Sequence, residues 1–370
     1  MKKAIVAGLG IQGVAIAYGM RALGYQVLGI DISPGNIKNA VGLLARLGTE
    51  IDTIESDILA LFERRDIRSR SAQNVIEYDP DVLISALPFH LNYELASLCI
   101  RHGVRYCDLG GNIDTSDQIN ALARQSARLP VMTDLGLAPG IANIIAELGY
   151  RHLGRADSVR IMVGGLPTRP KGSLKYGLTF SPQGLYNEYR EDCLIIRDGA
   201  KAVVEPLTEV ERLHFDGVGE LEAFHTSGGI SNTLDTMMSR GVRECSYKTL
   251  RFPGHVELVR SLLFERGMDL EMFSQAMINA CGFIEDDQVL IDVSVRDHGS
   301  DREWSMRCRV LRDKNFTAMQ KTTGLGAAAV GAILGSGVLD GGKSVVYADI
   351  PTDDFVRNMR TVLPEMDIGG

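Results

Sequence analysis

Two features near the start of the chain have the residue types and spacing to seat a dinucleotide. The first is Gly8-Leu9-Gly10-Ile11-Gln12-Gly13, a G-x-G-x-x-G. Gly8 permits a tight turn from strand to helix, Gly10 lets the backbone approach a pyrophosphate, and Gly13 lets helix and strand pack closely. Ile11 and Gln12 fill the same turn, at a helix N-terminus that faces phosphate charge. The second feature is Asp31, eighteen residues beyond Gly13, where a carboxylate accepts from both ribose hydroxyls of an adenosine. That carboxylate repels a 2′-phosphate, and Ile32-Ser33-Pro34 offers no arginine to receive one. NAD is therefore expected over NADP.

Other chemistry-bearing residues fall where strands end. Ser56-Asp57-Ile58 follows an apolar run, so Asp57 either lies by the adenine or caps the next helix. Asp81-Val82-Leu83-Ile84-Ser85-Ala86-Leu87-Pro88 is an apolar run stopped by proline. Ligands of doubly wound sheets sit beyond the carboxyl ends of strands, which makes Ser85, Ala86, Leu87 and Pro88 a wall for the cofactor. Asp108, in Asp108-Leu109-Gly110-Gly111-Asn112, reaches the same edge, as does Thr133-Asp134-Leu135-Gly136-Leu137-Ala138-Pro139-Gly140. There Gly136 shapes a cofactor-side turn, and Pro139 suits the first residue of a helix running to residue 153. Asp134 can hold a substrate ammonium or the nicotinamide amide, or can simply support the turn.

The elements needed to position these residues are legible as an alternation. Strands are expected at 4–7, 26–30, 50–54, 81–88, 104–108 and 130–133, with helices at 14–23, 34–47, 91–102 and 115–127 between them. This pattern predicts an α/β, Rossmann-type, doubly wound parallel sheet. After residue 156 the texture changes. Strands at 159–163, 174–180, 193–197, 202–206, 289–296 and 304–311 predict a second, α+β domain with a largely antiparallel sheet. A Gly/Ala-rich helix at 322–334 and a closing helix at 355–363 return the chain to the first domain. The expected division is a dinucleotide-binding domain at 1–135 completed by 323–370, and a substrate-binding and dimerisation domain at 136–322.

Composition narrows the function. The chain has 370 residues, 45% hydrophobic and 23% charged, with a net charge of −8. No Lys/Arg block stands out, so a nucleic-acid partner is not expected. The longest uncharged run, 322–339, is short for a membrane span and rich in Gly and Ala, which favours a buried helix. The first residues enter a strand directly, so no leader is expected, and the six scattered cysteines suit reduced thiols in the cytoplasm. No metal-ligand spacing is visible.

At the level of whole motifs the sequence resembles the saccharopine dehydrogenase-like family, and within it the L-lysine 6-dehydrogenase branch. The resemblance is carried by the glycine motif and by Val82 to Pro88, Tyr106-Cys107-Asp108-Leu109-Gly110-Gly111 and Asp134 to Gly140. It continues through Ser181-Pro182-Gln183-Gly184-Leu185 with Asn187-Glu188-Tyr189, Gly219 to Phe224, and Lys248-Thr249-Leu250-Arg251-Phe252-Pro253-Gly254-His255. The saccharopine reductases it resembles carry an acidic residue where this chain has Ala138, and a carboxylate-binding arginine where it has Gln183. Glutamine is a poor substitute for a bidentate guanidinium, which disfavours a glutarate-bearing substrate.

The resemblance implies an NAD-dependent amino acid dehydrogenase that oxidises the ε-amine carbon of L-lysine or a related basic amino acid, and a homodimer. Asp134, Lys248 and His255 are the catalytic candidates; Tyr176, Gln183, Asn187, His225, Thr226, Ser227 and Arg251 are the substrate-binding ones. Most have a plain structural alternative: Lys248 as a surface lysine, Arg251 as an ion pair, His225 and His255 as satisfied core histidines, Tyr176 as core, Thr226 and Ser227 as an ordinary turn. Two rival functions stay open: a saccharopine-like reductase joining an amine to a carbonyl with NAD(P)H, and a non-catalytic NAD-binding sensor.

Overall fold

The computed structural model describes residues 1–63 and 75–368. The last two positions of the expected C-terminal segment, 369 and 370, lie outside the described residues. The chain divides into two compact units, Met1–Ile141 with Gln320–Ile368, and Ala142–Met319.

Among the described residues the first unit is built on six strands: β1 (Lys3–Ala7), β2 (Gln26–Asp31), β3 (Asp52–Glu55), β4 (Val82–Ser85), β5 (Tyr106–Asp108) and β6 (Val131–Met132). They lie in the order β3-β2-β1-β4-β5-β6 with every pairing parallel. Ala4 to Ala7 are all buried, because a parallel sheet is covered on both faces and its strands are apolar throughout. On one face Ile5, Leu28, Ile30 and Leu83 pack with Leu95, Ile119 and Ala123 from helices Asn92–His102 and Ile113–Ser126. On the other lie α1 (Ile11–Ala22) and the helix Gly326–Leu334 from the chain's end. These two approach through small residues: a Cβ on Gly19 would stand 2.6 Å from that of Ala328. This is the doubly wound α/β architecture expected from the alternation.

Two local expectations for this unit need correcting. Pro139 does not open a helix; the helix is Ile141–Leu153. Residues 136–140 instead close a tight turn in which the Ile141 N–H donates to the Gly136 carbonyl at 3.0 Å and the Ala138–Pro139 bond is cis. Gly140, at φ +135°, comes so near Gly136 that a Cβ on it would lie 2.0 Å from the Gly136 oxygen. The C-terminal helix is also not uniform. Gln320–Leu325 forms a π turn before the α-helix begins at Gly326.

The second unit holds an eight-stranded sheet: β7 (Ser158–Pro167), β8 (Cys193–Arg197), β9 (Ala200–Val204), β10 (Glu211–Phe215), β11 (Gly219–His225), β12 (Glu244–Arg251), β13 (Asp287–Asp297) and β14 (Arg302–Leu311). The order is β10-β11-β12-β7-β13-β14, with β8 on β12 and β9 on β8. Only β12 and β7 pair in parallel, so the sheet is largely antiparallel as expected. Strands β11 and β12 are not apparent in the sequence, because Lys248, Arg251, Glu222 and His225 interrupt any apolar alternation; all four are buried with partners.

The expected strand at 174–180 does not form. Lys175 is left-handed at φ +48°, and the segment keeps a single bridge, Leu178 to Phe283. Its alternation has another cause: Tyr176 and Leu178 pack into an apolar cluster with Leu185, Tyr189, Phe224 and Phe273. Among the described residues no helix is long and apolar enough to cross a membrane.

Candidate functional site

In the first unit the predicted ligand edge is assembled where β1, β2, β4, β5 and β6 end. Gly8 takes φ +88°, and a Cβ there would sit 3.0 Å from the Ala86 carbonyl oxygen and 3.2 Å from a Leu87 methyl. Gly13 packs against the turn itself, with its Cβ position 1.8 Å from the Gly8 oxygen. Gly10 is different: nothing lies within 4 Å of where its Cβ would be. It is also the residue before α1, and among the described residues no side chain caps that helix. The first-turn N–H groups of Ile11 and Gln12 therefore need an outside acceptor.

Asp31, 7% exposed, ends β2. One carboxylate oxygen accepts the Leu9 N–H at 2.6 Å and the other the Ser33 N–H at 2.7 Å. The Asn36 amide bridges both at 3.1 and 3.3 Å. All these donors are neutral, and among the described residues no cation pairs with Asp31. The open Gly10 face, the uncapped helix and the anchored Asp31 together fit an adenosine dinucleotide. Asp57 is exposed and accepts the Leu59 N–H at 2.9 Å at the start of the helix Ile58–Glu63, which is capping geometry.

Further along the edge, the Ser85 hydroxyl is turned inward onto Asn92 Oδ1 at 2.8 Å. Pro88 leads into the 3-10 turn Phe89–Leu91. Asp108 is 1% exposed. It accepts from the Tyr106 hydroxyl (2.9 Å), the Gly110 N–H (2.8 Å) and the Asp134 N–H (3.3 Å). Burial, and then the neighbouring Asp134 carboxylate, push its carboxyl up to about 7. Asp134 adopts φ +62°, which costs a non-glycine residue about 1–3 kcal/mol and marks places where surrounding contacts hold the backbone. Its carboxylate accepts the Ser116 hydroxyl at 2.6 Å and its carbonyl accepts the Tyr347 hydroxyl at 2.8 Å. Gly136 lies in the turn that follows.

In the second unit the substrate candidates separate into two groups, because side chains alternate across a strand. Thr249 and Arg251 point to one face of β12 and Lys248 to the other. On the first face, Arg251 is 3% exposed and stacks on the Tyr176 ring at 4.7 Å. Its Nε donates to the Tyr189 hydroxyl at 2.9 Å, and that hydroxyl lies 3.1 Å from His255 Nε2. His255 Nδ1 lies 3.0 Å from the Leu174 carbonyl. The network assigns the proton to Nδ1, so Tyr189 donates to Nε2. Burial and then the Arg251 charge hold His255 down to about 3, which keeps the ring neutral with both nitrogens engaged.

Beside this relay is Glu188, whose Oε2 stands 4.0 Å from Arg251 Nη2. Its Oε1 accepts Thr249 at 2.6 Å and Thr226 at 3.2 Å. The Ser227 N–H donates to the Glu188 carbonyl at 2.9 Å.

On the other face, Lys248 donates to the Glu209 carbonyl at 2.7 Å and pairs with Glu211 at 3.0 Å. His225, opposite Lys248 in register, contacts Glu209 at 3.2 Å and the Tyr247 carbonyl at 3.3 Å. Burial and then Lys248 lower its basicity. The structure thus joins Tyr176, Arg251, Thr226 and His255 and places Lys248 and His225 elsewhere. Gln183 is exposed on the first turn of helix Pro182–Arg190, and Asn187 is half-buried a turn later. The sequence reading did not single out Glu188, Tyr189, Thr249, Asn92 or Ser116 as site residues. The one available signal was the adjacency of Glu188 and Tyr189 to Asn187.

Comparison with known proteins places this geometry. The model of the saccharopine dehydrogenase C-terminal domain matches residues 136–368. Apo saccharopine dehydrogenase (L-Glu forming) from Saccharomyces cerevisiae superposes with a TM-score of 0.73 at 14% identity, covering 98% of each chain. Apo scyllo-inositol dehydrogenase from Lactobacillus casei aligns over 99% of this chain and 95% of its own, at 9% identity and a TM-score of 0.44. The family match spans well over half of the sequence, and the first of these structures shares its fold from end to end: the chain belongs to the saccharopine dehydrogenase-like family of oxidoreductases.

Proposed function

We propose that the protein is an NAD-dependent dehydrogenase of an amino acid, oxidising the ε-amine carbon of L-lysine or a related basic amino acid. The observation that carries the cofactor half is Asp31, a carboxylate anchored by neutral donors at the end of β2 beside the open Gly10 turn. Bound NAD would supply the hydride acceptor. The remaining work falls to side chains of the chain. In the first unit Asp134, held by Ser116 and by its own backbone contacts, is the carboxylate assigned to hold an ammonium or take its proton. In the second unit, taken by itself, Arg251 offers a guanidinium whose Nη2 stands 4.0 Å from Glu188 Oε2, the group type that suits a substrate carboxylate. Glu188, steadied by two threonine hydroxyls, suits an α-ammonium. The neutral amine loses hydride and a proton to become an imine, which water hydrolyses to a semialdehyde and ammonia.

His255 is not assigned the base: a ring held neutral to about pH 3 with both nitrogens engaged exchanges protons poorly near neutrality. The test is a pair of assays on the purified protein. NAD reduction with lysine, ornithine, diaminopimelate and polyamines should respond to a basic amino acid. NADH consumption with lysine plus 2-oxoglutarate should not. The reverse result would make the protein a reductase that joins amine to carbonyl.

A further inference from the structure

The C-terminal segment that returns to the first unit reaches two ligand-edge turns with side-chain hydrogen bonds. Gln320, 9% exposed on the π turn, donates its amide to the Ile11 carbonyl at 2.7 Å. Ile11 is the first residue of α1, inside the glycine turn. The same π turn presses on that helix through Gly324, where a Cβ would stand 3.0 Å from the Gln12 carbonyl oxygen and 2.6 Å from the Ala15 Cβ. Tyr347, 2% exposed, donates its hydroxyl to the Asp134 carbonyl at 2.8 Å. Asp134 is the left-handed residue whose N–H is held from the other side by Asp108 at 3.3 Å.

The sheet order separates these two turns. Asp31 ends β2 and the glycine turn ends β1, while Asp134 follows β6, on the opposite side of β1 from β2. A dinucleotide whose adenosine lies at β2 and whose pyrophosphate lies at β1 must extend its nicotinamide half toward β4, β5 and β6. One anchor therefore serves the pyrophosphate and the other the nicotinamide end.

We infer that the return segment is a two-point clamp on the cofactor edge, with Gln320 a positioning residue for the pyrophosphate turn and Tyr347 a positioning residue for the Asp134 turn. Both residues bond to main-chain carbonyls of the turns. Each fixes a peptide group of a ligand-edge turn, and misplacement of such a group is transmitted to binding. This rests on the reading that the glycine turn holds NAD.

The experiment uses the full chain carrying Gln320→Met or Tyr347→Phe, near-isosteric changes that remove one donor each. NADH and ADP-ribose are titrated against both variants and the parent, with thermal unfolding recorded alongside. Losing one such bond should weaken binding about fivefold. Gln320→Met is expected to weaken NADH and ADP-ribose alike. Tyr347→Phe is expected to weaken NADH and leave ADP-ribose unchanged, since ADP-ribose lacks the nicotinamide. A merely structural role would lower both ligands' affinity in step with the melting temperature in both variants, and that pattern overturns the clamp. So does unchanged binding in both variants. A parent protein that binds neither ligand overturns the cofactor reading and the clamp together.

Discussion

Removing a single oxygen, in Tyr189→Phe, breaks the relay at its centre. The Tyr189 hydroxyl accepts from Arg251 Nε at 2.9 Å and lies 3.1 Å from His255 Nε2. Tyr189, Arg251 and His255 are at most 3% exposed, so water cannot readily replace the lost partner. A hydrogen bond to a charged group contributes about 1.5–3 kcal/mol and a neutral one about 1, so the variant should lose about 3 kcal/mol from the second unit. For a unit of this length that corresponds to a drop of roughly 10 °C in its unfolding midpoint. The assay is built into the sequence. The chain has one tryptophan, Trp304 on β14, against which Gly149 packs so closely that a Cβ would stand 2.3 Å from the ring. Its fluorescence during urea or thermal unfolding reports the second unit alone. A Tyr189→Phe protein whose tryptophan transition lies within about 1 kcal/mol of the parent would show that the relay does not hold this unit together.

Three further outcomes follow from the same geometry. Gly13→Ala would place a Cβ 1.8 Å from the Gly8 oxygen, so the turn must open, and NADH titration should show affinity lower by more than about tenfold. Replacing the ribose acceptor and supplying a cation, Asp31→Ser with Ile32→Arg, should shift the ratio of NAD to NADP affinities toward NADP by at least about tenfold, read from parallel titrations. His255 has its folded value depressed from 6.5 to about 3. The unfolded chain therefore binds the extra proton first, and this contribution to stability is present above pH 6.5 and lost as pH falls toward 3. His255→Gln should flatten the tryptophan-detected stability curve in that window by up to about 1.4 kcal/mol per pH unit.

What the sequence made legible follows the range of the physics involved. The glycine turn, Asp31 and the strand ends at Ser85, Asp108 and Asp134 depend on local spacing and on the rule that ligands sit at carboxyl ends of parallel strands. Those are readable from one chain. The second unit's cluster is not local. Glu188 meets Thr226 and Thr249 from 38 and 61 positions away, and nothing in the spacing of a short helix announces such partners.

The grouping of Lys248 with Arg251 came from their nearness in one motif. An odd separation of three puts them on opposite faces once residues 244–251 are known to be a strand, and buried charges had hidden that strand. Pro139 shows a related limit. Proline suits the first turn of a helix, but Gly136 and Gly140 on either side allow a closer turn that excludes it from the helix.

The central claim is that this chain moves hydride from an amine-bearing carbon to NAD. Incubating the purified protein with NAD and L-lysine, and measuring NADH and ammonia together, tests it most directly. The account predicts that both accumulate in equal amounts and that Asp134→Asn nearly abolishes both. Tight NADH binding with no NADH or ammonia formed from lysine or any related basic amino acid would contradict it.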